Sequence, residues 1–178
     1  MHPLETYRSS LAEIRASAAG TKETSYYPAL HALLNEVGKD LKPKVRCILQ
    51  LANKGAGNPD GGLYTADQFQ KLTDEEPIAG QKPGRGAIEI KPVKDDAWVT
   101  ADSEQVTKYW KEYGQVLVTN YRDFVLVGRD SEGKALKLAS YRLAEDAKAF
   151  WTAAVCGHLK TYLFDHLPGP ILLGWTWG

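Results

Sequence analysis

The sequence predicts a mixed α/β fold in which helices flank a partly antiparallel sheet. Apolar residues recur at helical spacing in some segments and at every second position in others, so both helices and strands are expected. The predicted order is two helices, two or three strands, a helix, three strands and a closing helix. This order differs from the βαβ repeat of nucleotide-binding folds, and the short turns between the last strands indicate antiparallel neighbours.

Two helices are predicted at the start of the chain. The first covers residues 3–19, since proline suits a first helical turn and Gly20 suits a helix end. The second covers residues 24–39, because Pro28 must lie within its first turn. Apolar side chains repeat along both segments at the spacing of one helical face.

Three strands and a long insertion are predicted next. Alternating apolar residues indicate strands over 44–51 and 87–93, with a short strand over 63–66 between them. Residues 53–62 hold four glycines and a proline, which predicts a loop or tight turn. Residues 67–85 are polar and interrupted by proline and glycine, so we expect a mobile surface insertion there.

The second half of the chain is predicted to alternate between helix and antiparallel strands. Asp102 is expected to cap a helix that ends at Tyr113, because Gly114 follows it. The remaining predicted elements are strands over 115–120, 123–128 and 134–141, followed by a closing helix over 143–162.

Two short motifs carry the acidic residues that suggest chemistry. Asp60 lies in the run Asn-Pro-Asp-Gly, and Glu89-Ile90-Lys91 lies on the predicted strand that follows the insertion. Glu89 and Lys91 occupy alternate positions of that strand, so they point to the same face. Two carboxylates can hold a hard divalent cation, and a lysine beside them can orient water or stabilise an oxyanion. The pattern favours metal-assisted hydrolysis of a phosphodiester.

Each of these residues also has a simpler interpretation. Asp60 could be an ordinary turn residue, because Pro-Asp-Gly is a strong turn sequence. Glu89 and Lys91 could form a solvated pair on an edge strand. Glu23, near the start of the second helix, could complement the helix dipole.

The order of these motifs resembles that of the PD-(D/E)xK nuclease superfamily, whose members have a restriction-endonuclease-like core. Pro59-Asp60 is similar to the aspartate motif, and Glu89-Ile90-Lys91 to the second half of the signature. Gln105 and Tyr109 resemble the Gln-x-x-x-Tyr element of RecB-like branches and share one helical face. The resemblance covers about residues 21–128.

The run from Glu23 to Leu34 also looks like the start of the nuclease domain of single-chain restriction–modification enzymes, in which an adenine-N6 methyltransferase is fused to the nuclease. Two features depart from that pattern. The gap between Asp60 and Glu89 exceeds a short hairpin, so the intervening insertion must be looped out. The chain also has no methyltransferase signature, so only a nuclease part is expected here.

The resemblance implies a metal site, and basic residues of the insertion and of the following helix suggest a DNA-binding surface. Asp60, Glu89 and the carbonyl of Ile90 would bind Mg²⁺, for which Mn²⁺ can substitute, with help from Glu23. Lys91 would position the attacking water, and Gln105 would orient Lys91 or the scissile phosphate. The residues predicted to contact DNA are Lys82, Arg85, Lys108 and Tyr109.

The sequence patterns and the resemblance together suggest domain boundaries and partners. We expect an N-terminal helix over 1–20, a nuclease domain over 21–165, and a C-terminal tail or truncation point over 166–178. The expected partners are DNA and a methyltransferase with a target-recognition domain, in the same or a partner chain. A transient homodimer is a hypothesis for double-strand cleavage.

Composition limits the other classes of function. Basic and acidic residues balance at 22 each, which is unusual for a strong non-specific DNA binder. The two cysteines are far apart and form no Cys-x-x-Cys pair, so a zinc ribbon is excluded and both are expected to be buried. No signal peptide and no apolar run of membrane-spanning length is recognised, so a cytoplasmic protein is expected.

The sequence thus favours a Mg²⁺-dependent DNA endonuclease domain of a bacterial restriction–modification system. One alternative is a non-catalytic nucleic-acid-binding or partner-docking module that retains the nuclease fold. A less favoured alternative is a glycoside hydrolase that uses the two carboxylates as its acid and base.

Overall fold

A computed structural model of the chain describes residues 3–17, 23–51, 57–70, 78 and 80–156. It contains a six-stranded mixed sheet whose spatial order equals the order along the chain. The strands are β1 Val45–Leu49, β2 Gly61–Thr65, β3 Ala87–Ile90, β4 Val116–Thr119, β5 Asp123–Arg129 and β6 Ala135–Arg142. The predicted mixed α/β fold is confirmed.

Helices cover both faces of the sheet. They are α1 Pro3–Ala16, α2 Tyr27–Gly38, α3 Ala66–Gln70, α4 Ala97–Ala101, α5 Glu104–Tyr113 and α6 Ala147–Cys156, and a 3₁₀ turn, Glu23–Tyr26, precedes α2. Strands β3 and β4 run parallel, and the crossover between them carries α4 and α5. The other neighbouring strands run antiparallel, which the short turns predicted for the last three strands.

Two apolar cores lie on opposite faces of the sheet. One core contains side chains of α1, α2 and α6, and the other contains side chains of α4 and α5. Strand β3 contributes to both, because Ile88 and Ile90 enter the first core while Ala87 enters the second. Glu89 shares the parity of Ala87, so this strand directs it toward the face that α5 covers.

The β2–β3 hairpin closes beneath the predicted insertion. The N–H of Leu63 donates to the carbonyl of Gly86, and the N–H of Arg85 donates to the carbonyl of Leu63, each at 2.9 Å. The predicted looping-out of this segment is therefore confirmed. Because its ends are fixed by backbone hydrogen bonds, the long gap does not disturb the pairing of the two strands.

Part of this insertion is helical, which the sequence analysis did not predict. Helix α3 places the ring of Phe69 against the ring of Tyr64, with 6.1 Å between centroids, and under the guanidinium of Arg46. Gln68 of the same helix accepts from the N–H of Gly84 and donates to the carbonyl of Lys82. Residues 71–77 and 79 lie outside the described part, and the predicted mobility stays a prediction.

The helix predicted from Asp102 to Tyr113 is present as α5, but it begins at Glu104, and a second short helix, α4, precedes it. Asp96 caps α4 by accepting from the backbone of Trp98, whereas Ser103 caps α5 by accepting from the backbone of Val106. Asp102 instead lies at the C-terminal end of α4. Aspartate and serine are both good capping residues, so the sequence placed the cap at Asp102, one residue before Ser103, and α4 was not predicted.

The closing helix begins later than predicted. Leu143 follows β6 into the core, and its N–H donates to the carbonyl of Arg122. The helix α6 begins at Ala147, where the carboxylate of Asp146 accepts from the N–H of Ala149 at 2.7 Å. The predicted extension to residue 162 and the tail over 166–178 lie outside the described residues.

The edge strand β1 is covered by the side chain of Asn35 from α2. Its amide oxygen accepts from the N–H of Cys47 at 3.0 Å, and its amide nitrogen donates to the carbonyl of Cys47 at 3.3 Å. One asparagine thus satisfies a donor and an acceptor that another strand could otherwise pair. Gly38 allows this close approach, because a Cβ atom there would lie 2.2 Å from the carbonyl oxygen of Val45.

Among the described residues, the longest helices fall short of the length and apolar character that crossing a bilayer demands.

Burial predicts a slow reaction of the Cys47 thiol. The side chain is 1% exposed, and burial raises its pKa to about 12, so little reactive thiolate forms at pH 8. In a Cys156→Ser variant, which leaves one thiol per chain, we expect negligible reaction with Ellman's reagent under native conditions. One thiol should react after unfolding in guanidinium, and rapid reaction of the folded variant would contradict the burial.

Candidate active site

Asp60 immediately precedes β2, and contacts from two sides hold it in place. Gly61 pairs with Ile88, so extending the antiparallel register by one residue sets Asp60 opposite Glu89. The N–H of Gln50 donates to the Asp60 carbonyl, which anchors its backbone to the end of β1. The side chain then accepts the N–H of Ile90 through Oδ2 at 2.8 Å. Asp60 therefore does more than form a turn, because its carboxylate contacts the strand that carries the second motif.

Glu89 is a buried carboxylate on an interior strand. It is 2% exposed, and β3 lies between β2 and β4, so the alternative of a solvated pair on an edge strand is wrong. The ammonium Nζ of Lys91 lies 2.6 Å from Oε1 of Glu89, as expected for alternate positions that share a face. Lys91 itself is one-third exposed, so the pair joins the interior to the surface.

Helix α5 supplies the next layer of contacts. Nε2 of Gln105 lies 3.4 Å from Oε2 of Glu89 and donates to the hydroxyl of Tyr109 at 3.0 Å. The two residues are four apart, so the helix presents them on one face, as the sequence predicts. Gly57, with a φ of +109°, lies against the Tyr109 ring, where a side chain would contact the phenol.

Burial dominates the electrostatics of the site. It raises the pKa of Glu89, and the nearby charge of Asp60 raises it further, while the hydrogen bond from Lys91 acts in the opposite direction. Burial likewise raises the pKa of Tyr109, which keeps its phenol protonated. The carboxylates of Asp60 and Glu89 therefore interact in a partly buried site beside the ammonium group of Lys91.

The pair of carboxylates of Asp60 and Glu89 has the chemistry that a hard divalent cation prefers. Two carboxylates of the same charge are stabilised when a cation lies between them, and oxygen is the ligand that Mg²⁺ prefers. Within the described residues, no group of three or more His, Cys, Asp or Glu side chains could hold a metal ion. A site built from Asp60 and Glu89 must therefore draw further ligands from backbone carbonyls or water, as Mg²⁺ commonly does.

Two other predicted ligands have a less complete description. Glu23 begins the 3₁₀ turn before α2, as predicted for the helix entrance, but its side chain lies outside the described part. Ile90 enters the site through its N–H, which contacts Asp60. The roles of the Glu23 side chain and the Ile90 carbonyl as ligands stay predictions.

The predicted DNA-contacting residues are distributed around α5 and the base of the insertion. Lys82 is exposed and forms an ion pair with Glu112 of α5, and Lys108 is exposed on the same helix. Arg85 is half-buried at the hairpin closure. Tyr109 is 2% exposed and belongs to the hydrogen-bond network of Gln105. Contact of these four residues with DNA stays a prediction.

One participant was not recognised in the sequence. The hydroxyl of Tyr27 donates to Oδ1 of Asp60 at 2.9 Å, from the first residue of α2. In the sequence, Tyr27 fits the apolar spacing of the predicted second helix, which indicates a core residue. Its position carries no local signal of a polar role, because the contact joins residues 33 positions apart.

A comparison of the fold with solved structures finds one described as a cryo-EM structure of a DrdV–DNA complex. The TM-score is 0.54 at 21% sequence identity, and the match covers 90% of this chain and 13% of that chain. The present chain thus corresponds to about an eighth of the longer one, and the likeness shows the fold alone. No protein-family model and no curated protein matches the sequence.

The raised pKa of Glu89 predicts that its charge destabilises the metal-free fold. A carboxyl group whose pKa is raised from its ordinary value of 4.5 contributes stability at low pH that is lost as the pH rises through the folded-state pKa. In EDTA, Glu89→Gln should therefore unfold at a higher temperature than the native chain at pH 8. The difference should shrink toward zero below the ordinary carboxyl pKa.

Thermal denaturation of both proteins between pH 4 and 8 checks this expectation. Glu132→Gln is the matched control, because Glu132 is exposed and should give no comparable difference. A variant less stable than the native chain at pH 8 would mean that the pair with Lys91 outweighs the burial cost.

Proposed function

We propose that this chain is a Mg²⁺-dependent DNA endonuclease domain of the PD-(D/E)xK superfamily, belonging to a bacterial restriction–modification system. The observation that carries the proposal is the convergence of three side chains. Asp60 contacts the backbone of Ile90, and Glu89 pairs with Lys91, the residue that follows β3. The two halves of a sequence signature that are separated by a long insertion therefore meet at one place in the fold.

Asp60 and Glu89 would hold the cation together with the carbonyl of Ile90, and Glu23 would assist through water. Bound Mg²⁺ would supply positive charge at the phosphate and lower the pKa of water. The carboxylates are suited to this role because Asp60 is hydrogen-bonded on both oxygens and Glu89 is fixed by Lys91 and Gln105. Ligands that are already oriented bind a cation with less loss of conformational freedom.

Lys91 would act on the attacking water and on the phosphate. Its ammonium group has three N–H donors. It can therefore donate to a water molecule or to a phosphate oxygen while it stays paired with Glu89. Donation to an oxygen that gains negative charge lowers the energy of the transition state. Gln105 would keep Glu89 in place through Nε2, and in-line attack would leave a 5′-phosphate, as the resemblance implies.

DNA is the proposed substrate for two reasons. A solved structure with a similar fold is described as a complex with DNA. Lys82 and Lys108 also expose positive charge near the helix that supplies Gln105. A formal net charge of zero is compatible with this substrate, since the acidic residues of the site offset basic contacts in the total.

The proposed restriction–modification context is supported by the length of the DrdV chain, of which this fold matches only a small part. The match covers 13% of the DrdV chain, so a protein of that size has ample room for other functions. We propose that target recognition and methylation are carried by such additional domains, in the same or a partner chain. A transient homodimer would bring two copies of the site to the two strands of a duplex.

The alternatives account for fewer of these contacts. A glycoside hydrolase would use Asp60 and Glu89 as its acid and base, and it would leave the Lys91–Glu89 pair without a task. A non-catalytic binding module would not require the Asp60, Glu89 and Lys91 side chains together. Metal-dependent cleavage of DNA distinguishes the nuclease from both alternatives.

Cleavage should need both the divalent cation and Lys91. We expect relaxation of supercoiled plasmid in Mg²⁺ or Mn²⁺, none in EDTA, and a rate lower by about 100-fold or more in Lys91→Met, as for removal of a single charge-stabilising donor. Gel analysis of timed digests measures the rate. Asp60→Asn should abolish cleavage.

The matched control is Lys134→Met, since Lys134 is 74% exposed in the turn before β6. It should cleave at the native rate, and circular dichroism should show that all variants fold. Native cleavage by Lys91→Met would refute the assigned role. A well-folded native chain that binds DNA without cutting it in either cation would support the non-catalytic module.

Lys82 should contribute to DNA affinity through one phosphate contact. Lys82→Gln should bind a duplex more weakly and reduce the slope of log affinity against log salt by about 1. Glu112→Gln should have the opposite effect on affinity, because it frees Lys82 from its ion pair. Fluorescence anisotropy in EDTA at several salt concentrations measures both, with Lys134→Gln as control. Equal salt slopes for Lys82→Gln and the native chain would exclude the contact.

A further inference from the structure

Tyr27 connects the helical layer on one side of the sheet to the aspartate of the site. Its ring packs against the core formed by α1, α2 and α6, and its hydroxyl donates to Oδ1 of Asp60 at 2.9 Å. The side chain is half-buried, so the hydrogen bond is partly protected from water. The residue belongs to neither of the two sequence motifs.

The two oxygens of Asp60 receive hydrogen bonds from different elements of the fold. Oδ1 accepts from the Tyr27 hydroxyl on α2, and Oδ2 accepts from the Ile90 N–H on β3, at 2.8 Å. Two fixed donors define the rotation of the carboxylate about its bond to Cβ. A carboxylate offers about four lone-pair sites, so each oxygen keeps capacity for a cation.

We propose that Tyr27 is a positioning residue that holds Asp60 in the orientation required to bind the divalent cation. The inference rests on the proposed metal site, and it assigns to that site a residue outside the superfamily motifs. With the hydroxyl present, the orientation of Asp60 is fixed before the cation arrives. Without it, Oδ1 loses its anchor to α2, and binding must itself restrict the rotation of the carboxylate.

The expected size of the effect follows from other metal sites. Loss of a hydrogen-bond partner behind a metal ligand typically costs about 10- to 100-fold in metal affinity or activity. Tyr27→Phe removes the hydroxyl and keeps the ring in the core, so the variant isolates the hydrogen bond. The effect should act mainly on cation binding and only slightly on folding.

Tyr7→Phe provides a matched control. The Tyr7 hydroxyl also makes one hydrogen bond, to the carbonyl of Tyr121 at 2.8 Å, and Tyr7 is 2% exposed. That bond has no contact with Asp60 or Glu89. Tyr7→Phe should therefore lower the unfolding temperature while the affinity for the cation stays at the native value.

Titration calorimetry with Mn²⁺ and with Mg²⁺ on the full chain tests the proposal. Tyr27→Phe should weaken binding about 10-fold or more, and the cation should raise its unfolding temperature less than that of the native chain. The increment in unfolding temperature remains measurable even if the variant is less stable than expected.

The outcomes separate this inference from the proposed function. If the native chain binds and cleaves while Tyr27→Phe has native affinity, the positioning role is refuted and the nuclease proposal stands. If Tyr7→Phe weakens cation binding as much as Tyr27→Phe, the effect is a general result of lost stability and the positioning role is also refuted. If the native chain binds neither cation, both proposals fail together.

Discussion

The pairing of β2 with β3 is the constraint on which the candidate site depends. Gly61 opposite Ile88 determines that Asp60 meets Glu89, and the carboxylate of Asp60 then receives the next N–H along β3, that of Ile90. A slip by one residue would turn the side chains of one strand to the other face of the sheet. Ile88 and Ile90 oppose such a slip, because it would remove both from the core.

The same short strand serves the core and the site at once. Ile88 and Ile90 of β3 point into the apolar core formed with α1, α2 and α6. Glu89 points to the opposite face, toward α5, where it is buried beside Lys91. Burial of this carboxylate raises its pKa, so the charged state that could hold a cation is disfavoured in the folded protein. Functional groups that are held in an unfavourable state of this kind are expected where chemistry takes precedence over stability.

The sequence predicted the parts of the site that depend on local spacing. Glu89 and Lys91 were assigned to one face from strand alternation, and Gln105 and Tyr109 to one face from helical spacing. The contacts of Tyr27 with Asp60 and of Asn35 with Cys47 were not predicted, because each joins α2 to a strand through tertiary packing. The cap of α5 was assigned one residue early, at Asp102 instead of Ser103, because both residue types cap helices well, and the short helix α4 was not predicted. The roles of the proposed metal ligands and DNA contacts are not tested by the fold.

Hydrogen bonds at the base of the β2–β3 hairpin make the positions of the strand ends independent of the length of the segment that joins them. Backbone hydrogen bonds join Leu63 to Arg85 and Gly86 at the base of the hairpin. The side chain of Gln68 adds hydrogen bonds to the backbone of Lys82 and Gly84. Changes in the length of the segment 71–77 are therefore expected to leave Asp60 opposite Glu89, because they lie beyond the contacts that fix the ends of the two strands.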